Sequence, residues 1–223
     1  MKTFEVDTFI QFHKVIEERY DQRFTVFRGS SNAGYELLPK IGRPETKPIA
    51  KPWKLERKML QLFKDRALPH LTFTPRNDWE WLALMQHHGG LTRMLDWSRN
   101  PLVAAYFAVE KKASTDSAVY AWRSKEEPVD PGTTADPFSI TVVEKYIPPH
   151  MSERIIAQAG LFTVHPKPKI PMQSPNLEKI IIRNSFRKQF KNILFQYGIH
   201  RATLFPGLDG IADHITWMNV ESH

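Results

Sequence analysis

Cysteine is absent from the 223 residues. That excludes a disulfide framework, cysteine zinc ligands and a thiol nucleophile. No run approaches 18 consecutive apolar residues, so no membrane span is expected. The first residues, Met1 to Asp7, lack the apolar core of a signal peptide. A chain without cysteines fits a reducing compartment, and the cytoplasm is the expected location. There is no Walker loop, no Gly-x-Ser-x-Gly and no His-Glu-x-x-His. No metal site is expected, because His87 and His88 are adjacent and point about 100° apart on a helix. Internal repeats and low-complexity tracts are also missing.

What is present is a basic, moderately apolar chain long enough for one large domain, expected to span residues 1–223. The net charge is +7. Between Lys40 and Arg66 there are nine Lys/Arg against three Asp/Glu. Such a stretch is either a solvated face or a surface for phosphate-bearing partners.

Spacing predicts a helix from about Thr8 to Tyr20, with Thr8 and Gln11 at capping-box separation. A short strand is expected over Phe24 to Phe27, with Arg28-Gly29 at its end. Asn32 to Pro48 reads as loop. A helix from about Pro52 is expected to bury Leu55, Met59, Leu62 and Phe63. Asn77 and Glu80 predict a helix start, and Gly89-Gly90 its end. Leu91 to Trp97 reads as a loop, followed by a helix from Pro101. Ala118 to Trp122, Ile140 to Tyr146, Leu161 to His165 and Lys179 to Arg183 read as strands. A helix through Phe186 to Tyr197 precedes a last strand, Ala202 to Phe205, and a closing helix from Asp209 to about Trp217. The pattern is α+β: helices mainly in the N-terminal half, and a mixed or antiparallel sheet completed by the C-terminal half.

Three segments carry candidate chemistry. Arg28 supplies five fixed donors for a phosphate or carboxylate, and Gly29 permits close backbone approach. The alternative is an Arg28 locked to Asp96. Gln86 to Trp97 crowds His87, Thr92, Arg93 and Asp96 among apolar residues. Its competing roles are ligand contact and loop latch, with Asp96 capping the helix near Pro101 and His87 a hydrogen-bonded structural residue. In the third segment, Glu153 to Phe162, Gln158 presents an amide to a ligand or ties the turn before Gly160, the latter being favoured.

These segments together resemble the FRG domain, named for its Phe-Arg-Gly motif. The matching features are Phe27-Arg28-Gly29, Leu38-Pro39 with Arg43, and Gln86 to Trp97 with the helix from Pro101 to Phe107. Gln158-x-Gly160-x-Phe162 and Leu204-Phe205-Pro206 complete the set, so the motif core spans about residues 24–208. The family is widespread in bacteria and their phages, and its name implies no reaction. A more distant resemblance is to the ADP-ribosyltransferase fold. Arg28-Gly29, the Thr92 to Phe107 segment and Gly160-Leu161-Phe162-Thr163-Val164 occur in the order that superfamily uses. Alignment on Gly160 puts Arg154 where the superfamily has its catalytic Glu, with Glu153 one position away.

The resemblance implies a nucleotide-binding domain that consumes NAD or transfers ADP-ribose. Asp96 or Glu153 would be the catalytic carboxylate. Arg28, Gly29, His87, Thr92, Arg93 and Gln158 would bind ligand, with NAD as substrate rather than as a required cofactor. The alternative is a non-catalytic recognition module whose basic surface meets nucleic acid or an acidic partner. Whether the chain is an enzyme stays open at the level of sequence.

Overall fold

A computed structural model describes residues 1–21, 23–46, 52–134, 136–149 and 153–221. Pro48, at the end of the expected loop, and Lys47 and Lys51 of the basic stretch lie outside these residues. The described chain forms one mixed seven-stranded sheet with helices packed on it. No helix among the described residues is long and apolar enough to cross a membrane.

The strands are β1 (Lys2–Val6), β2 (Thr25–Ser30), β3 (Met94–Ser98), β4 (Ser117–Arg123), β5 (Glu144–Tyr146), β6 (Gly160–Val164) and β7 (Leu177–Ile182). Their order is β1-β7-β4-β2-β3-β6-β5. Only β1 and β7 run parallel; the other neighbours are antiparallel. The sheet is nearly two sheets. β2 pairs along its whole length with β4, and β3 along its whole length with β6. Between β2 and β3 the register holds a single pair, Phe27 against Ser98. Continued pairing would set Gly29 opposite Asp96, but the strands part, leaving a fork.

The main helices are α1 (Phe9–Arg19), α2 (Pro52–Ala67), α3 (Asp78–His87), α4 (Pro101–Val109), α5 (Glu153–Ala157), α6 (Arg187–Gln196), α7 (Arg201–Leu204) and α8 (Leu208–Thr216). Local chemistry explains several boundaries. The Thr8 hydroxyl accepts from the Gln11 amide at 3.3 Å. The Gln11 side chain reaches back one residue further than in a capping box, to the Asp7 amide at 2.9 Å. Asn77 caps α3 through Glu80 N–H, and Gly89 at φ +84° lets the chain leave that helix.

Each half of the sheet has its own core. Phe27, Val119, Ile180 and Ile182 pack against α1, α4 and α6, with Phe12 and Phe190 meeting edge to face at 5.1 Å. Met94, Tyr146, Phe162 and Val164 pack under α2 and α3 through Leu60, Trp79 and Leu82. On the other face, Val26, Leu95, Trp97, Tyr120 and Trp122 are covered by Leu37 and Met172. Gly29 faces α4 at close quarters. A Cβ there would lie 2.1 Å from the Ala104 carbonyl oxygen and 2.6 Å from the Ala108 nitrogen. The small residues of α4 and the glycine of Phe27-Arg28-Gly29 therefore serve one contact.

Several expectations are corrected. The Leu91–Trp97 loop is largely strand β3, because residues 94–98 gain a partner in β6, distant in sequence. Arg28 and Gly29 lie inside β2 rather than at its end, paired with Tyr120 and Val119. Ala202 to Phe205 is not a strand. Residues 201–204 form α7, and the Thr203 hydroxyl accepts from the His200 amide at 3.1 Å. Of Ile140 to Tyr146 only the last three residues are strand. On α2, Glu56, Leu60 and Ala67 are buried and Met59 and Phe63 pack against the core as expected, while Leu62 is exposed. Strand β1 was not expected; it exists by pairing with β7.

Candidate functional site

The fork between β2 and β3 collects Arg28, Asp96, Gln86, His87 and Arg154. Arg28 leaves β2 on the face of Val26, opposite Phe27, as the period of two requires. Its side chain crosses the fork and donates from Nη1 to the Asp96 carbonyl oxygen at 2.5 Å. The same nitrogen lies 3.5 Å from the Asp96 carboxylate, a long ion pair. The Arg28 side chain is 16% exposed and that of Asp96 59%. The two residues thus form neither a closed buried lock nor a free pair. The backbone carbonyl holds the guanidinium, and the carboxylate faces solvent. Among the described residues, Arg28 Nε and Nη2 make no hydrogen bond to protein.

The Asp96 carboxylate is oriented from the other side. Gln86 Nε2 donates to Asp96 Oδ2 at 3.0 Å. Thr92 Oγ1 donates to Gln86 Oε1 at 2.5 Å and accepts from the Met94 amide at 3.1 Å. That chain of bonds determines which end of the Gln86 amide faces Asp96. Thr92 is fully buried and acts through Gln86, without open access to a ligand. The expected helix cap by Asp96 is made instead by Asn100, whose side chain accepts from Leu102 N–H at 2.9 Å.

The electrostatics are dominated by cations. Burial pulls the Arg28 pKa down, Asp96 opposes that, and Arg43 adds to it. Burial lowers Arg154 likewise, again opposed by Asp96. Burial, then Arg154 and His88, hold His87 down at about 4, so its ring is neutral near pH 7. Arg28, Arg154 and His87 all feel Asp96.

The remaining expected residues are placed elsewhere. Arg93 is buried against Glu56. Glu56 accepts from the Arg93 backbone amide at 2.7 Å and from its Nε at 2.8 Å. Gln158 donates to the Leu204 carbonyl at 2.9 Å, tying the turn before β6 to α7. Glu153 opens α5, exposed and without a hydrogen bond or ion pair among the described residues. Because 153 and 154 lie in a helix, they point about 100° apart rather than to opposite faces of a strand. Arg154 donates to the His87 carbonyl at 3.3 Å and lies over the Phe205 ring at 4.3 Å. Gln86, Arg154 and Arg43 belong to the site but were not singled out as binding residues. Gln86 stood in the motif run, and its role needed the fold of β3 to appear.

No cluster of three His, Cys, Asp or Glu among the described residues is placed to hold a metal. Two sizeable cavities, of about 480 and 410 Å³, lie away from the fork; neither is lined by Arg28 or Asp96. The site is an open surface feature with a charged centre.

Residues 23–117 match the family model FRG domain. The match runs from the start of β2 into β4, and it contains Arg28, Gly29, Gln86 and Asp96. Arg154, Gln158 and β6 lie beyond it. No curated protein matches the chain. No solved structure matches it.

Proposed function

We propose that the fork between β2 and β3 binds a nucleotide, with NAD as the candidate substrate. One observation carries this reading. The guanidinium of Arg28 is mostly buried, yet only Nη1 is spent on protein. Nε and Nη2 are not among the buried atoms left without a partner, so both donors are reachable from the opening. An external phosphate oxygen would satisfy Nε and Nη2 together, the geometry for which a guanidinium is suited. Arg43 and Arg154 add positive potential around the same point.

In this reading Arg28 grips the diphosphate. Asp96, oriented by Gln86 and Thr92, faces the ribose next to the nicotinamide. As the glycosidic bond breaks, neutral nicotinamide leaves with the bonding electrons, the carboxylate stabilises the positive charge left on the ribose, and water adds at that carbon and gives up a proton. His87, neutral, offers a hydrogen-bond donor or acceptor. Glu153 stands as a second carboxylate on α5, without an orienting partner, and ranks below Asp96.

Calorimetry with NAD and an assay for nicotinamide release test the proposal. Arg28→Lys should weaken NAD binding by about tenfold, because an ammonium cannot supply two parallel bonds. Asp96→Asn should bind NAD yet lose at least about 100-fold in turnover. If NAD shows no saturable heat, or if both variants match the parent, the reading is wrong.

The basic stretch supports a second reading, as a docking face for nucleic acid. It ranks lower because its charges are partly spent. Arg57 pairs with Asp136, Lys64 with Asp78, and Lys40 donates to the Gly89 carbonyl. Binding to nucleic acid that weakens steeply with salt and survives Arg28→Lys would favour it.

A further inference from the structure

A cavity of about 480 Å³ lies between α1, the start of α4, the turn from α5 into β6 and the end of α6. It has no residue in common with the fork. Its volume is in the range of small-molecule sites. The walls are largely apolar, with Phe9, Phe12, Ile16, Leu102 and Tyr197 among the lining residues. Tyr197 is 62% exposed, yet its ring lies flat on Phe9 at 5.4 Å and 18°. Phe9 and Phe12 are in turn held edge to face by Phe190, at 5.6 and 5.1 Å. The aromatic wall is therefore already formed.

The charge of the lining has one sign. Among the described residues no carboxylate lines the cavity. His13 lies 3.9 Å from Glu17, which is not part of the lining. Arg99 is exposed, and its guanidinium makes no hydrogen bond or ion pair to the described residues. Its backbone, by contrast, is tied down, because its N–H donates to the Ala159 carbonyl at 3.0 Å. Asn100 follows it in the lining. Asn100 Oδ1 accepts from Leu102 N–H at 2.9 Å, which leaves Nδ2 as a donor. Ala159 lines the cavity as well, and among the described residues it is the one non-glycine at positive φ, +45°. A left-handed backbone costs an L-residue about 1–2 kcal/mol, and such strain gathers at ligand sites.

We infer that this cavity binds a small organic carboxylate, its apolar body against Phe9, Phe12 and Tyr197 and its carboxylate on Arg99 and Asn100. A guanidinium meets a planar carboxylate with two parallel bonds. One unpaired cation balances one negative charge, whereas a phosphate dianion would keep an uncompensated charge. A neutral hydrocarbon would leave Arg99 unused. The site does not rest on the proposal for Arg28.

The test is calorimetry on the full chain with phenylacetate and hexanoate, their alcohols phenethyl alcohol and hexanol, and acetate. The tighter-binding of the two carboxylates says whether the body is aromatic or aliphatic. It should exceed its own alcohol and acetate by at least about tenfold. Arg99→Gln should weaken it at least about tenfold. Asn100→Asp, which keeps the cap on α4, should weaken the carboxylate and spare the alcohol. Tyr197→Ala should weaken both alike, with circular dichroism confirming the fold of each variant. Arg28→Lys should leave this binding intact, which separates the cavity from the fork. No saturable heat with either carboxylate overturns the inference. So does an alcohol that binds as tightly as its acid, binding that ignores the Arg99, Asn100 and Tyr197 variants, or binding that is lost with Arg28→Lys.

Discussion

Glu56→Ala removes the partner of a cation that water cannot reach. The Glu56 and Arg93 side chains are 0% and 2% exposed. Glu56 binds both the Arg93 amide and its Nε, at 2.7 and 2.8 Å, so one carboxylate clamps the backbone and side chain at the entry to β3. Phe138 covers the guanidinium at 4.5 Å. Breaking a buried pair by deleting one member costs about 3–5 kcal/mol. For a chain of this size each kcal/mol shifts Tm by about 2–4 °C, so the expected loss is roughly 6–20 °C. Differential scanning calorimetry reads it. The control is Arg57→Ala, whose pair with Asp136 is 53% and 39% exposed and is worth at most about 1 kcal/mol. The double variant Glu56→Leu/Arg93→Met restores an uncharged interior and should be more stable than either single variant. It should also bind NAD as the parent does, because Arg93 serves the fold rather than the ligand. Glu56→Ala melting no earlier than Arg57→Ala, or a double variant no better than the singles, would refute the reasoning.

Other consequences follow from the same packing. Gly29→Ala drives a Cβ into the α4 backbone, and helix backbone cannot yield as a side-chain tip does. A loss of at least about 3 kcal/mol is expected, seen as a lower urea midpoint. His165 is buried beside Arg28 and Arg93, and burial above all holds its pKa down to about 3, against 6.5 when unfolded. It shares the Thr163 hydroxyl, at 2.9 Å, with Trp97 Nε1. A neutral ring suits that buried network. The folded state then binds fewer protons than the unfolded, so stability is full above pH about 6.5 and declines towards pH 3 by on the order of 1.4 kcal/mol per unit. Urea titrations across this window should show the decline, and His165→Gln should make it shallower, leaving the part due to His87, which is held down to about 4. Acid limbs of equal slope in parent and variant would count against the assignment.

The outcome at the fork explains why Arg28 allowed two readings before the fold was known. A ligand clamp and a structural lock call for the same residue types, Arg and Asp. The difference lies in which atoms are spent. Arg28 uses one nitrogen on a main-chain oxygen, and the carboxylate it was expected to be locked against points to solvent. Thr92 shows the reverse case. Its polar side chain in a motif run read as ligand contact, yet it is buried and orients Gln86.

What residues do to their near neighbours was determined by the sequence itself: the caps at Thr8 and Asn77, the exit at Gly89, the apolar faces of α1 and α6, and the FRG signature. These depend on side chains within about one helical turn, so spacing reveals them. Tertiary structure decided whatever needed a partner far along the chain. Residues 94–98 become strand only because β6 arrives beside them, and β1 only because β7 does. Residues 201–204 become helix on packing against the rest of the C-terminal segment. The parting of β2 from β3 after one residue pair was beyond any local pattern, because it depends on which distant strands each of them pairs with along its length. That parting is what leaves the donors of Arg28 and the carboxylate of Asp96 facing an opening.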